Sequence, residues 1–246
     1  MLELTVLVLP GFNGTDGLVE PFVRAAPANY RVVTVTYPTD RATSYEALRE
    51  LVRGRISAID GPFVIVGESY AGPLAVMLTE PRPPGLIAVV LVGAFIKPPH
   101  AAVARWLPWD AGFKLMRPVY ALRRLLPNVG PRRANLGGVL RRGARELRQV
   151  EPHVLAARMR SLFQVDASVW LRECPVPILY CRGERDLVVP AHNLEEIVRI
   201  RPSVSVRYFD TGHFMLQERP QQVWLAIGEF IAGLNDAGQT PNRTTA

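Results

Sequence analysis

The chain is expected to form an α/β fold: a mostly parallel, six-stranded sheet with helices on both faces. Three observations lead there. Short apolar, β-branched runs alternate with longer stretches of helical period, which is the pattern of strands joined by crossover helices. Several of these runs break into polar, glycine-containing loops, so reactive side chains collect at strand ends. The alternation fails from Lys97 to about Val169, an interval studded with proline. At 246 residues with 48% hydrophobic content, the chain suffices for one domain with a large core.

The first strand is expected over 4–9, and it runs into Pro10-Gly11-Phe12-Asn13-Gly14-Thr15-Asp16-Gly17. Three glycines there would suit a flexible turn or a phosphate cradle. The phosphate-loop pattern needs a Gly-Lys-Ser/Thr ending that is absent, and the spacing 11, 14, 17 does not fit Gly-x-Gly-x-x-Gly. The remaining reading is an oxyanion loop, whose backbone N–H groups face a carbonyl oxygen as it becomes negative. To within one residue, that assigns the Phe12 N–H. A helix over 17–26, a strand over 31–37 and a helix over 44–59 follow.

The next strand, 63–67, breaks into Gly67-Glu68-Ser69-Tyr70-Ala71-Gly72 and then into a helix over 70–80. A stiff strand, a sharp turn carrying Gly-x-Ser-x-small, and a helix form a nucleophile elbow, which lifts the serine hydroxyl clear of the backbone. Alone, such a pentapeptide also occurs as an ordinary serine-containing turn or helix cap. Ala71 stands where a second glycine is usual, with Gly72 behind it. The Tyr70 N–H is the expected second oxyanion donor.

A strand over 86–92 precedes the irregular interval, and strands over 176–181 and 204–209 follow it. The fifth strand leads into Arg182-Gly183-Glu184-Arg185-Asp186, and the sixth into Asp210-Thr211-Gly212-His213. A serine hydroxyl is a poor nucleophile until a neutral imidazole takes its proton, and a carboxylate must hold that imidazole in one tautomer. Ser69, Asp186 and His213 supply those groups in a workable order. Asp210 is the rival acid, but it lies only three residues before His213. The other histidines, His100, His153 and His192, lack a strand-end context and read as surface or cap residues. Helices over 191–200 and 219–234 complete the pattern.

Taken together, Leu-Pro-Gly-x-x-Gly-Thr, Gly-Glu-Ser-Tyr-Ala-Gly-Pro-Leu, Gly-Glu-Arg-Asp and Thr-Gly-His-Phe resemble the α/β-hydrolase superfamily, in its small esterase-like branch. These matches run from Leu9 to Phe214. The resemblance implies a strand order 2-1-3-4-5-6, with the loops after strands 1 and 3 meeting at the switch point where such sheets bind ligands. It also implies a core over 1–96 and 170–235, a helical cap inserted over 97–169 between the fourth and fifth strands, and a frayed tail over 236–246. Ser69, Asp186 and His213 would be catalytic, with Phe12 and Tyr70 forming the oxyanion hole. No cofactor and no metal are implied. Relatives cleave carboxylic esters of small molecules or thioesters, and some transfer acyl groups. Ester hydrolysis on short or medium acyl chains is the expectation, with thioesterase or acyltransferase as the alternative. A non-catalytic binding protein on the same scaffold is a further alternative.

Composition bounds the rest. Trp106, Leu107, Trp109, Phe113, Leu115 and Met116 form an aromatic cluster that either packs the cap onto the core or lines an acyl pocket. Residues 97–170 hold 14 Lys or Arg against four Asp or Glu, a net +10, within a chain of net +7. Pairs such as Arg123-Arg124, Arg132-Arg133 and Arg141-Arg142 read as a solvated helix face or as a contact for an anionic surface or substrate. No nucleic-acid-binding motif accompanies them. No apolar run approaches a membrane span, and Cys174 and Cys181 have neither metal-ligand nor disulfide-framework spacing. A reduced, cytoplasmic protein is expected, although a mature secreted form would read the same.

Overall fold

The computed structural model describes residues 4–100, 107–114 and 134–239. Its six strands are β1 Leu4–Leu9, β2 Tyr30–Thr34, β3 Phe63–Glu68, β4 Leu86–Val92, β5 Ile178–Gly183 and β6 Ser205–Phe209. They form one sheet in the order β2-β1-β3-β4-β5-β6, and every neighbouring pair is parallel. The sheet is therefore wholly parallel rather than mostly so. The helices are α1 Glu20–Arg24, α2 Tyr45–Ile56, α3 Ala71–Met77, α4 (residues 109–114), α5 Ala134–Leu147, α6 Pro152–Leu162, α7 Ser168–Glu173, α8 Ala191–Ile200, α9 Met215–Glu218 and α10 Pro220–Gln239. Helices α4 to α7 all lie between β4 and β5.

Most elements shift by a few residues from expectation, among them α1, expected over 17–26 and found at Glu20–Arg24. Two strand boundaries have a local reason. β2 stops at Thr34, because the Tyr37 N–H leaves the sheet to donate to Gly14 O at 2.8 Å. β5 starts at Ile178, because Pro177 has no N–H for the ladder, although its carbonyl still accepts from Val89 N at 3.0 Å.

Strand side chains alternate between two cores. Leu7, Leu9, Phe63, Ile65, Val89 and Leu91 pack on one face with α2 and α3. Val6, Val8, Val64, Val66, Val90 and Val92 pack on the other with Phe22, Met215 and Trp224. A sheet buried on both faces needs apolar residues at odd and even positions alike, which is why its strands read as continuous apolar runs. Helix α2 shows the complementary pattern. Ser44 caps it by accepting from Ala47 N–H, and Tyr45, Leu48, Val52 and Ile56 form its buried stripe.

Close packing behind the elbow depends on two glycines. A Cβ on Gly67 would lie 2.8 Å from Ala75 Cβ, and one on Gly72 would lie 2.5 Å from Phe95 O. The tightest approach thus falls at Gly72 and not at the preceding position, where Ala71 is accommodated fully buried. Gly72→Ala should destabilise the fold by about 1–3 kcal/mol through overpacking. Gly54→Ala, on α2 with nothing near its added Cβ, should be neutral or stabilising. Urea midpoints at unchanged m-value would measure both; a neutral Gly72 variant would show that the α3–β4 contact is loose.

Candidate active site

The loops after β1, β3, β5 and β6 meet at the carboxyl ends of the strands. Ser69 follows β3 directly and has φ 50°, the one positive φ outside glycine among the described residues. A left-handed serine is held there by its surroundings. Its N–H donates to Val92 O at 2.9 Å, and its carbonyl accepts from Gly72 N–H at 3.0 Å. These bonds pin both sides of the residue while the side chain points away from the sheet.

His213 and Asp186 complete a continuous hydrogen-bonded chain with it. His213 Nε2 lies 3.0 Å from Ser69 Oγ, and His213 Nδ1 lies 2.8 Å from Asp186 Oδ2. The other carboxylate oxygen, Oδ1, accepts from Val188 and Val189 N–H, both at 2.9 Å. Burial by itself would raise the Asp186 pKa. The His213 hydrogen bond and charge, with the two N–H groups, outweigh it and hold the carboxyl below its usual range. An ionised Asp186 can only accept, so Nδ1 carries the proton and the Nε2 lone pair faces Ser69. Asp210, the rival acid, instead points to the surface and pairs with Arg185.

The two loops carrying this pair are tied down from below. Arg185 N–H donates to Thr211 O at 3.0 Å, and Thr211 Oγ1 donates to Glu218 of α9 at 2.7 Å. Buried Arg182 donates to Val189 O at 2.6 Å and so fixes the turn that Asp186 caps. Gly93, just past β4, was visible in the sequence only as a break in an apolar run. Its φ is +52°, and a Cβ there would sit 3.2 Å from Asp186 Oδ2 and 3.3 Å from His213 Nδ1.

Phe12 and Tyr70 occupy equivalent positions in two turns. Gly14 N–H donates to Gly11 O at 3.0 Å, just as Gly72 N–H donates to Ser69 O. In a planar trans peptide the C=O and the next N–H point in opposite directions. The Phe12 and Tyr70 N–H groups therefore point out of their turns. The two rings meet edge to face with centroids 5.9 Å apart. Glu68, unremarked in the sequence, bridges the two loops. Its Oε2 accepts from Gly11 N–H at 3.3 Å and its Oε1 from Gln217 Nε2 at 2.8 Å. Burial pushes its pKa up, with the Gln217 bond, His213 and the Gly11 bond opposing.

Ser69, His213, Phe12 and Tyr70 open onto a cavity of about 350 Å³. Its walls are chiefly apolar, with Leu147, Met159, Leu162 and Phe163 contributed by the insertion between β4 and β5. Among the described lining residues none is Lys or Arg, and Glu68 is the one carboxylate. Of the aromatic cluster, Trp109 and Phe113 take a packing role. Trp109 stacks near Phe163 and Phe113 near Phe12, while Leu107 is exposed, and none of the three lines the cavity. Trp106, Leu115 and Met116 lie outside the described residues, as do Arg123, Arg124, Arg132 and Arg133. His100, His153 and His192 are all exposed, but His100 reaches the cavity rim, with Nε2 2.8 Å from Val188 O.

A family model described as the alpha/beta hydrolase family matches residues 6–226. The chain belongs to that family. Among solved structures, this family member is similar to a thermophilic esterase from Thermogutta terrifontis, at TM-score 0.76 and 19% identity over 94% of this chain and 90% of that one. It is similar to an esterase from Exiguobacterium antarcticum at TM-score 0.74 and 16% identity, over 93% and 91% of the two chains. It is also similar to an enol-lactonase from Burkholderia xenovorans at TM-score 0.74 and 15% identity, again over 93% and 91%. At these identities the likeness establishes the alpha/beta hydrolase fold. No curated protein sequence matches the chain.

Among the described residues no group of three or more His, Cys, Asp or Glu is placed to hold a metal ion, and no helix is long and apolar enough to cross a membrane. Cys174 and Cys181 are buried and unbridged, and burial pushes the Cys181 thiol up to about 12.

Proposed function

We propose that this alpha/beta hydrolase cleaves carboxylic esters of short or medium acyl chain through an acyl-enzyme on Ser69. The observation that carries the reading is the Ser69–His213–Asp186 chain of hydrogen bonds opening onto an apolar cavity. Ser69 Oγ adds to the ester carbonyl while His213 Nε2 takes its proton, and Asp186 holds the imidazolium that forms. The carbonyl oxygen becomes an oxyanion held by the Phe12 and Tyr70 N–H groups. The tetrahedral centre collapses, the C–O bond to the alcohol breaks, and His213 returns the proton to the departing oxygen. A water molecule, deprotonated by His213, repeats the steps on the acyl-enzyme and frees the acid. In this reading residues 97–169 are a cap on a core of 1–96 and 170–235.

The cavity supports an uncharged ester. Its volume is at the small end for ligand pockets, and its apolar walls favour an alkyl or aryl group. The similar solved structures include two esterases and an enol-lactonase, which points the same way. A strained serine in register with a histidine is more than a binding scaffold needs. A p-nitrophenyl ester series from acetate to palmitate, run beside an acyl-CoA and with an alcohol acceptor, tests the proposal. Turnover should peak among the shorter esters. Preferential acyl-CoA cleavage or acyl transfer would replace ester hydrolysis by the thioesterase or acyltransferase reading.

The basic insertion is expected to have no steering role. Arg142 pairs with Glu20 at 2.6 Å and Arg160 with Asp110 at 2.6 Å, and Lys97 pairs with Glu196 at 2.9 Å. No Lys or Arg lines the cavity among the described residues, so an anionic and a neutral ester of equal acyl length are expected to show the same change in kcat/KM between about 0.1 and 1 M salt, over which the Debye length falls from about 10 to 3 Å. A selective loss for the anionic ester would assign a function to these arginines.

A further inference from the structure

Among the described residues, two buried cations take no part in the reaction just described: Arg182, which fixes the Asp186 turn, and Arg158. Arg158 sits on α6 in the arginine-rich interval, yet it is fully buried. Burial draws its pKa down, opposed by Tyr70 and Tyr37. Burying a guanidinium is costly unless its donors are satisfied. Here Nη1 donates to Phe12 O at 3.0 Å and to Asn13 O at 2.6 Å, and Nη2 donates to Pro38 O at 2.8 Å, while Nε is buried without a hydrogen-bond partner. The group also lies 5.7 Å from the centroid of the Tyr37 ring. Opposite it is Gly14, where a Cβ would fall 2.7 Å from Nη1. The loop has a glycine where the guanidinium needs room.

The next turn of α6 reaches the other donor residue. Ser161 Oγ lies 2.8 Å from the Tyr70 hydroxyl and donates to Arg158 O at 2.9 Å. With its one proton so used, Ser161 accepts from Tyr70. Positions three apart share a helix face, so Arg158 and Ser161 act from the same side of α6. Tyr45 completes the hold on Tyr70 by donating to its carbonyl at 2.9 Å.

We propose that α6 sets the geometry of the oxyanion pocket. Arg158 is a positioning residue that locks the Gly11–Gly14 turn through the Phe12 and Asn13 carbonyls, and Ser161 holds Tyr70 beside it. This rests on the assignment of the Phe12 and Tyr70 N–H groups above. One nitrogen bonded to two successive carbonyls restrains the Phe12–Asn13 and Asn13–Gly14 peptide planes, and the first of these joins, at the Phe12 Cα, the Gly11–Phe12 plane that carries the Phe12 N–H. Thr15 Oγ1, which donates to Glu146 of α5 at 2.8 Å, gives the same loop a second tie to the insertion.

Arg158→Lys tests this, because an ammonium keeps the charge but cannot reproduce the planar fork. Its kcat should fall about a hundredfold, the scale of a 1 Å misplacement, with KM unchanged. Affinity for a trifluoromethyl ketone, which forms an oxyanion on the serine, should fall by the same factor, while affinity for the product alcohol holds. Ser161→Ala should show a smaller loss of the same type and carries the test if the Arg158 variant does not fold. Stoichiometric fluorophosphonate labelling separates the two levels of the argument. No labelling of the wild type overturns the serine-hydrolase reading. Full labelling together with wild-type kcat and ketone affinity in the variant, or a change in KM alone, overturns the positioning role.

Discussion

Ser69→Ala is expected to lower ester turnover by at least about a thousandfold while leaving the fold intact. The hydroxyl lies 3.0 Å from His213 Nε2, and Ser69 lines the cavity. Removing it takes away the bond-forming atom and leaves the binding walls and the oxyanion donors, which set the residual rate. The strained backbone conformation at this position is held by the Val92 and Gly72 bonds and not by the side chain, so the variant should fold. A fluorophosphonate should label the wild type once, at Ser69, and leave the variant unmodified. Near-wild-type turnover by the alanine variant would remove the acyl-enzyme from consideration.

Asp186→Asn is the second large effect, with an expected loss of roughly ten-thousandfold in kcat. An amide presents a donor as readily as an acceptor to His213 Nδ1. The imidazole can then take the tautomer with its proton on Nε2, where it cannot accept from Ser69. Asp210→Asn should cost little, because that carboxylate is exposed and pairs with Arg185. The reverse ranking, in well-folded protein, would transfer the acid role to Asp210. Stability should also respond to pH. The Asp186 pKa is lower in the folded chain than in the unfolded one, where it is about 3.9. Its contribution is complete above that unfolded value and is lost as pH falls through the folded value. The stability gap between wild type and Asp186→Asn, read from urea unfolding, should therefore be constant near neutrality and close in acid.

The sheet and the loops that follow its strands were legible because both signals are local. A strand buried on two faces is a run of apolar residues, and the polar break after it marks where its loop begins. Chain order then chose Ser69, Asp186 and His213, and the structure brings these three within hydrogen-bonding distance. The residues that shape their surroundings carry no local signature. Arg158 reads as one charge among many, and its burial is decided by carbonyls 145 and 146 positions away. Glu68 occupies the variable position of Gly-x-Ser, so the pattern is blind to it. The cavity lining from Leu147, Met159, Leu162 and Phe163 has the spacing of ordinary core packing, whereas the conspicuous aromatics at 109 and 113 do not line the cavity and pack against its wall residues Phe163 and Phe12. Gly93 is informative only once the atoms its side chain would strike are known.

The strand order has a consequence for how the molecule is made. Ser69 and His213 stand 144 positions apart, and the strand carrying the histidine loop is the sixth to emerge. At about 5–20 residues per second, Ser69 leaves the ribosome several seconds or more before His213 is made. On the proposed mechanism, Ser69 has no base until β6 docks on β5. The nascent chain should then turn over ester only at the residual rate, and a product truncated before His213 should do the same.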